Sequence, residues 1–207
     1  MSAHAVVIDC EWLVDEGARE RFWCGPNDPD PIVVQIGAVR LDLSGDFPIT
    51  GELDLVVAPV DRTGAPCPIP DLFVALTGVT PARIAAEATS LAEAIARLDV
   101  FSGGARLWSW GKDELHLVAI SCYLAGIAPP LPASRFGNAS ALCLKAGMPW
   151  EDVQRTRSGD LARYLGIETP SDGRPHDGLS DARSVALSLQ TLLREGRLAP
   201  ADLAGSP

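Results

Sequence analysis

The chain has 207 residues, of which 47% are hydrophobic, so its length fits a single domain (1–207) that can bury a sizeable core. Its 27 acidic and 17 basic residues give a net charge of −10, which argues against a protein that coats nucleic acid, because such proteins bind through many Lys and Arg side chains. The first residues lack the basic segment of a secretory signal, and no apolar run approaches the ~18 residues of a membrane helix, so we expect a cytoplasmic protein with no membrane partner. An excess of arginine over lysine is typical of bacteria with GC-rich genomes, and we expect a bacterial source.

Three strands are predicted in the first third of the chain. Residues 5–12 (AVVIDCEW) form the first strand, and residues 31–42 and 52–60 form the next two, joined by a turn around Gly45. The segment between the first two strands, 13–30, is rich in Asp, Gly and Pro and is expected to be a long loop.

Helices follow, interrupted by one more strand. Helical spacing covers 80–87 and 90–101, and Ser90 is a good N-cap for the second of these helices. Residues 105–110 (ARLWSW) form a fourth strand, after which Gly111 opens a helix of about 14 residues.

The last part of the chain is predicted to be helical. Short helices cover 138–166, and a final helix covers about 177–195, where apolar residues recur at helical spacing. Residues 196–207 are expected to form a loose tail, which leaves a core of about 5–195. A strand meander followed by strand–helix alternation predicts an α/β fold, with a mixed sheet and helices on its faces.

The first candidate site residues are Asp9 and Glu11. Side chains two positions apart on a strand point to the same face, so the two carboxylates project together, opposite to Val6, Ile8 and Cys10. Two adjacent anions beside an apolar sheet need a proton or a cation. Taken alone, a D-x-E pair is more often a solvated strand end.

A third carboxylate follows the fourth strand. Gly111 allows a tight turn, and Asp113 then falls in the first turn of a helix, where a carboxylate is stabilised by the helix dipole. It also lies at the edge of the sheet where open α/β proteins place their sites. Ordinary helix capping by Asp113 or Glu114 explains the same residues.

The last candidates are His176, in the loop before the final helix, and Asp181 in its first turns. This offset lets a loop imidazole and a helical carboxylate converge on one pocket. A carboxylate offers metal-binding oxygens, and an imidazole that titrates near neutrality can accept a proton from water. An N-cap at Asp177 or Ser180 beside an incidental histidine gives a similar sequence.

Taken together and in this order, these motifs resemble the DEDDh branch of the DnaQ-like 3′–5′ exonucleases. The resemblance runs from about residue 5 to 190 and includes two further segments. QIGAVRLD (35–42) is similar to the family's second strand, and LTGVT (76–80) is similar to its "TGI" turn. The WSWG tetrapeptide (108–111) looks most like the exoribonucleases of histone mRNA and RNA interference.

This resemblance implies a ribonuclease-H-like fold, in which a mixed five-stranded sheet is flanked by helices. Asp9, Glu11, Asp113 and Asp181 would be the carboxylates that bind two Mg²⁺ (or Mn²⁺) ions, and His176 the general base. Hard oxygen ligands suit these ions, and five scattered cysteines without a Cys-x-x-Cys pair offer no competing zinc site. The substrate would be the 3′ end of a single-stranded nucleic acid, and the product a nucleoside 5′-monophosphate.

The third carboxylate and the long loop each allow two interpretations. An ungapped comparison with relatives selects Glu114, whereas a one-residue deletion that aligns Leu117 and Val118 selects Asp113, which the sequence alone favours. The loop 13–30, for which many relatives have a shorter one, either clamps substrate or is a surface loop.

The substrate and the activity are also open to more than one interpretation. Trp12, directly after the D-x-E pair, either stacks on the terminal base or fills the core. The same fold also carries inactive or partner-dependent binding and proofreading modules, and an unrelated metallohydrolase would act on small phosphoesters. The preference between DNA, RNA and very short oligonucleotides depends on contacts to the 2′-hydroxyl, which the sequence does not reveal.

Overall fold

The structure is a computed structural model, and it describes residues 4–111, 113–169, 174 and 176–204. Its centre is a five-stranded sheet with the order β3-β2-β1-β4-β5. β1 pairs antiparallel with β2, β2 pairs antiparallel with β3, and β4 runs parallel to both β1 and β5. The strands are β1 (His4–Trp12), β2 (Val33–Asp42), β3 (Ile49–Val56), β4 (Leu107–Ser109) and β5 (Phe136–Asn138). The sheet is mixed, as predicted.

Helices cover the sheet, and several of them begin at a residue whose side chain caps the helix. The Ser90 hydroxyl accepts a hydrogen bond from the N–H of Glu93, as expected for the N-cap of α3. Within the described residues, no helix is both long and apolar enough to cross a membrane. The helices are α1 (Asp71–Thr77), α2 (Pro81–Glu87), α3 (Leu91–Ser102), α4 (Asp113–Leu124), α5 (Ala139–Lys145), α6 (Trp150–Arg155), α7 (Leu161–Tyr164), α8 (Gly178–Arg194) and α9 (Pro200–Ala204).

The two faces of β1 enter different parts of the core, which fixes the direction of its carboxylates. Val6 and Ile8 pack on the side of α3 and α4, whereas Ala5 and Val7 pack on the side of α8. Because side chains alternate along a strand, Asp9 and Glu11 belong to the α8 side. The final helix, predicted at 177–195, therefore packs over the face that carries the acidic pair.

One prediction at the chain's end needs correction, and one strand was not located in the sequence. The loose tail predicted for 196–207 is wrong as far as Ala204, because Leu198 and Leu203 are buried and α9 packs on the core. The indole N–H of Trp108 donates to the Leu203 carbonyl at 3.0 Å. The resemblance implied a fifth strand, but its position was not located in the sequence, since the three residues of β5 are too few to show a period. Residues 205–207 lie outside the described part.

The long segment between β1 and β2, 13–30, is a loop of turns, as predicted, and is called the strap below. Two buried residues hold it against the domain, and contacts within the strap fix its shape. Leu13 and Ala18 are fully buried, the indole of Trp23 donates to the Leu13 carbonyl at 3.0 Å, and Arg21 pairs with Asp28 at 2.6 Å. The strap therefore has a defined conformation.

Candidate active site

The acidic pair lies at the end of β1 next to the antiparallel strand β2. Asp9 stands opposite Gly37 and Glu11 opposite Gln35, and the pairing shifts register directly after Glu11. Asp9 is buried and Glu11 is half-buried. The two carboxylates thus sit where the regular sheet ends and a cavity begins.

Two glycines let the start of α8 approach this point closely. A Cβ atom on Gly37 would lie 2.2 Å from the backbone carbon of Gly178, and a Cβ on Gly178 would lie 2.9 Å from the carbonyl oxygen of Asp9. Neither distance is possible for a real side chain. The backbone of α8 therefore rests directly on β1 and β2, which brings Asp181 to the acidic pair.

The side chain of Gln35, on β2, forms hydrogen bonds with the start of α8. Its side chain is fully buried, and its Oε1 accepts from the N–H of Gly178 at 3.1 Å. Its Nε2 donates to Asp177 at 3.1 Å, while Asp177 caps the helix by accepting from the N–H of Ser180. This role was not predicted from the sequence, although Gln35 stands directly opposite Glu11.

Asp181 is buried within the first turns of α8. The Ser158 hydroxyl donates to its Oδ2 at 3.3 Å, and a Cβ on Gly159 would lie 2.4 Å from its Oδ1. Burial raises the pKa of Asp181 to about 7, although the hydrogen bond from Ser158 lowers it. Ser158 and Gly159, which the sequence did not single out, therefore hold and enclose this carboxylate.

His176 precedes the helix in a left-handed backbone conformation, with φ of 59°. One nitrogen of its ring and one carboxylate oxygen each of Glu11 and Asp181 lie within 4.8 Å of one another. Burial, together with the cations of Arg157 and Arg19, lowers the pKa of His176 from its usual 6.5. This shift favours the neutral form of the imidazole.

The structure separates the two candidates for the third carboxylate. Asp113 is exposed on the cavity wall, whereas Glu114 is only 3% exposed and belongs to the carboxylate cluster. Glu114 lies one helical turn before the buried Leu117 and Val118, so it shares their inward face. Its Oε2 is buried without a hydrogen-bond partner among the described residues.

Electrostatic repulsion links Glu114 to the acidic pair. Burial raises the pKa of Asp9 well above its usual value, and Glu114 is the next largest cause. Burial also raises the pKa of Glu11 to about 9 and that of Glu114 to about 7. Four carboxylates in this setting, Asp9, Glu11, Glu114 and Asp181, attract protons or cations strongly.

These groups lie at a cavity of about 990 Å³. Trp12 lines it and is half-buried, with part of its ring against the apolar core and its centroid 6.4 Å from that of Trp23 in the strap. Both expectations for Trp12, a core residue and an aromatic surface for a base, are therefore compatible with its position. Arginines from several segments line the same cavity, and they are Arg19, Arg155, Arg157, Arg163 and Arg174.

Solved structures with a similar fold are 3′ exonucleases. The nuclease domain of 3′hExo, a DEDDh family member bound to rAMP, is 20% identical with a TM-score of 0.74, over 94% of this chain and 93% of that one. A 3′-exonuclease in specific recognition of the 3′ end of the histone mRNA stem-loop is 20% identical with a TM-score of 0.71, over 94% and 64%. The zinc-bound E. coli ExoI–ssDNA complex is 17% identical with a TM-score of 0.60, over 95% and 41%.

By sequence, no protein-family model and no curated protein matches the chain. At identities of 17–20%, the structural likeness shows the fold. The ribonuclease-H-like α/β fold is thereby confirmed, and so is the resemblance to the DEDDh 3′ exonucleases at the level of the fold.

Proposed function

We propose that this protein is a metal-dependent 3′–5′ exonuclease that releases nucleoside 5′-monophosphates. The observation that carries the proposal is the meeting of four carboxylates and one imidazole at the same end of the sheet. They come from three parts of the chain that lie far apart in the sequence: β1, α4, and α8 with the loop before it. Neither a structural role nor solvation explains so many buried, mutually repelling acids.

The residues fit divalent cations with oxygen ligands. Asp9, Glu11, Glu114 and Asp181 would hold two Mg²⁺ or Mn²⁺ ions, and the unpartnered Oε2 of Glu114 supports its place in the set. We therefore prefer Glu114 to Asp113 as the third carboxylate. Bound cations would neutralise the scissile phosphate and the departing 3′ oxygen.

His176 would take the proton of the attacking water. The pKa of this histidine is lowered by burial and by Arg157 and Arg19, so its ring is neutral and able to accept a proton at neutral pH. Glu11 and Asp181 lie close enough to orient the protonated ring afterwards. The rigid start of α8, fixed by Gly37, Gly178 and Gln35, supports the position of both His176 and Asp181.

The chain's aromatic and basic groups support a nucleic-acid substrate. Trp12 and Trp23 offer ring faces on which a base can stack, and arginines line the cavity around the acidic centre. An overall charge of −10 is compatible with this, because the substrate end would be held through cations and not through a basic surface. The solved neighbours include complexes with ssDNA and with an mRNA stem-loop.

The test is degradation of 5′-labelled single-stranded DNA and RNA with Mg²⁺ or with EDTA. The proposal predicts a ladder that shortens from the 3′ end, mononucleotide products, and no ladder in EDTA or with Asp9→Asn or Asp181→Asn. Binding without any ladder would instead support an inactive or partner-dependent module. Hydrolysis of mononucleotide esters without attack on oligomers would support a small-phosphoester hydrolase.

A further inference from the structure

Most arginines in the described part of the chain have a partner, and those without one are not scattered. Among the described residues, four arginine side chains make no hydrogen bond, ion pair or aromatic contact: Arg19, Arg97, Arg155 and Arg157. Three of these four line the acidic cavity, and only Arg97 lies elsewhere. Of the residues that the structure describes, acidic ones line the same cavity but form no ion pair with these three arginines, so the guanidinium groups are free to bind an anionic ligand.

Arg157 is held in place from both sides. Its neighbour Thr156 accepts a hydrogen bond at its carbonyl from the indole of Trp110 at 3.0 Å. On the other side, Ser158 donates to Asp181, and its carbonyl accepts from Ser184 at 2.7 Å. The backbone of Arg157 is thus fixed next to the carboxylate cluster, while its side chain is exposed at the cavity rim.

Arg19 faces the same cavity from the strap. The strap is fixed near this residue by buried Ala18, by the Arg21–Asp28 pair and by the Trp23 indole. Arg19, Arg157 and His176 all line this cavity. The two arginines therefore come from different segments and line the same cavity as the acidic cluster.

We propose that Arg19 and Arg157 form a subsite for the phosphodiester next to the scissile one in a single-stranded nucleic acid. The inference rests on the proposed exonuclease function and deepens it. Three of the four carboxylates are buried and Glu11 is half-buried, at the place where cations would hold the scissile phosphate, whereas both arginines are exposed. A strand that enters 3′ end first presents its next phosphodiester at the cavity rim, and arginine binds phosphate oxygens through paired N–H groups.

The subsite gives the strap a function. Of the two roles that the sequence left open, a substrate clamp or a surface loop, the subsite favours the clamp. It also explains the second tryptophan of the WSWG motif, because Trp110 fixes the segment that carries Arg157. The two arginines would contact a phosphate and neither a base nor a 2′-hydroxyl, so the subsite would bind DNA and RNA equally.

The test compares substrates with one and with several phosphodiesters. At pH 8.5, well above the ordinary histidine pKa of 6.5, His176 is neutral with or without these arginines. There, Arg19→Ala and Arg157→Ala are each expected to lower kcat/KM on a single-stranded oligomer by roughly 10-fold, and to leave a dinucleotide, which has one phosphodiester, unchanged. Replacing the second phosphodiester from the 3′ end by an uncharged methylphosphonate should lower the wild-type rate and abolish the difference between wild type and variants. Arg97→Ala, which removes an unpartnered arginine away from the cavity, is the control and should behave as wild type.

Binding of labelled DNA and RNA oligomers in Ca²⁺, followed by fluorescence anisotropy, separates this inference from the proposed function. Each arginine variant should make the dependence of log affinity on log salt shallower by about 0.7. Equal losses on dinucleotide and oligomer, or a deficit that persists on the methylphosphonate substrate, would overturn the subsite. A wild type that forms no ladder but shows the arginine and methylphosphonate effects in binding would overturn the exonuclease and retain the subsite.

Discussion

Replacing Glu114 by Gln is expected to stabilise the metal-free protein at pH 8. The pKa of Glu114 is about 7 in the folded chain against an ordinary value of 4.5, chiefly because it is buried. One pKa unit is equivalent to about 1.36 kcal/mol, so holding this carboxylate ionised costs the folded state about 3 kcal/mol. Because the folded pKa is raised, the stability that the protonated group contributes is complete below pH 4.5 and is lost as the pH rises through about 7.

The assay is thermal unfolding in EDTA at pH 5 and pH 8. In a domain of this size 1 kcal/mol changes Tm by about 2–4 °C, so Glu114→Gln should raise Tm at pH 8 by about 6–12 °C and change it much less at pH 5. Asp113→Asn removes a carboxylate from the neighbouring position on the same helix turn and is the matched control. Since Asp113 is exposed, this variant should change Tm at pH 8 far less than Glu114→Gln does.

Mg²⁺ should reverse the order of thermal stability between the wild type and Glu114→Gln. Cations bound by the carboxylates stabilise the folded wild type and Asp113→Asn, and they should stabilise Glu114→Gln less because it lacks one ligand. Two results would refute the assignment of Glu114 to the cluster. One is a raised Tm in EDTA for Asp113→Asn instead of Glu114→Gln. The other is a rise in Tm with Mg²⁺ that is as large for Glu114→Gln as for the wild type.

The site leads to three more expected outcomes. His176→Ala should lower kcat by roughly 10²–10⁴-fold with a smaller effect on KM, and unchanged single-turnover rates would remove His176 as the base. The acid limb of kcat/KM should lie below pH 6.5, because the pKa of His176 is lowered and the base acts only when it is neutral. Arg157→Ala should move that limb to higher pH, because it removes a cation that lowers this pKa. A shift of the limb to lower pH would contradict the electrostatic effect of Arg157. Gly37→Ala should destabilise the fold by about 3 kcal/mol in urea unfolding, whereas Gly51→Ala on β3, whose Cβ would approach only the Phe101 ring at 3.4 Å, should cost far less.

The fold was largely predictable because its long elements have clear periods. The alternation of β1 and the apolar stripe of α8 decide which residues face each other, and both are visible in the sequence. Short elements were not predictable in this way. β5 and α9 have too few residues to show a period, and they are ordered by packing against Trp108 and the core.

The candidate site was predictable in its residue types and less so in its geometry. The sequence places both Asp113 and Glu114 in the first turn of α4, and only the direction of the helix decides which of them points inward. One residue rotates a side chain by about 100° around the helix axis, so this choice depends on tertiary packing. A signal was nevertheless present, since Glu114 precedes Leu117 and Val118 by one turn and shares their face.

The contacts that hold the site were less visible, because they join segments far apart in the chain. Nothing in the spacing of Gln35 and Gly178 shows that they form a hydrogen bond between β2 and the start of α8. The approach of Gly37 to the backbone of α8 is likewise a property of the packed domain. Such contacts become visible only when β2 and α8 are seen together.

The central claim is that buried carboxylates from β1, α4 and α8 bind divalent cations. Anomalous diffraction from crystals soaked in Mn²⁺ tests this claim most directly. We predict Mn²⁺ peaks bounded by Asp9, Glu11, Glu114 and Asp181, with Asp113 outside the coordination shell. Crystals in which the soaked Mn²⁺ left this cluster empty, or bound at Asp113 without Glu114, would contradict it.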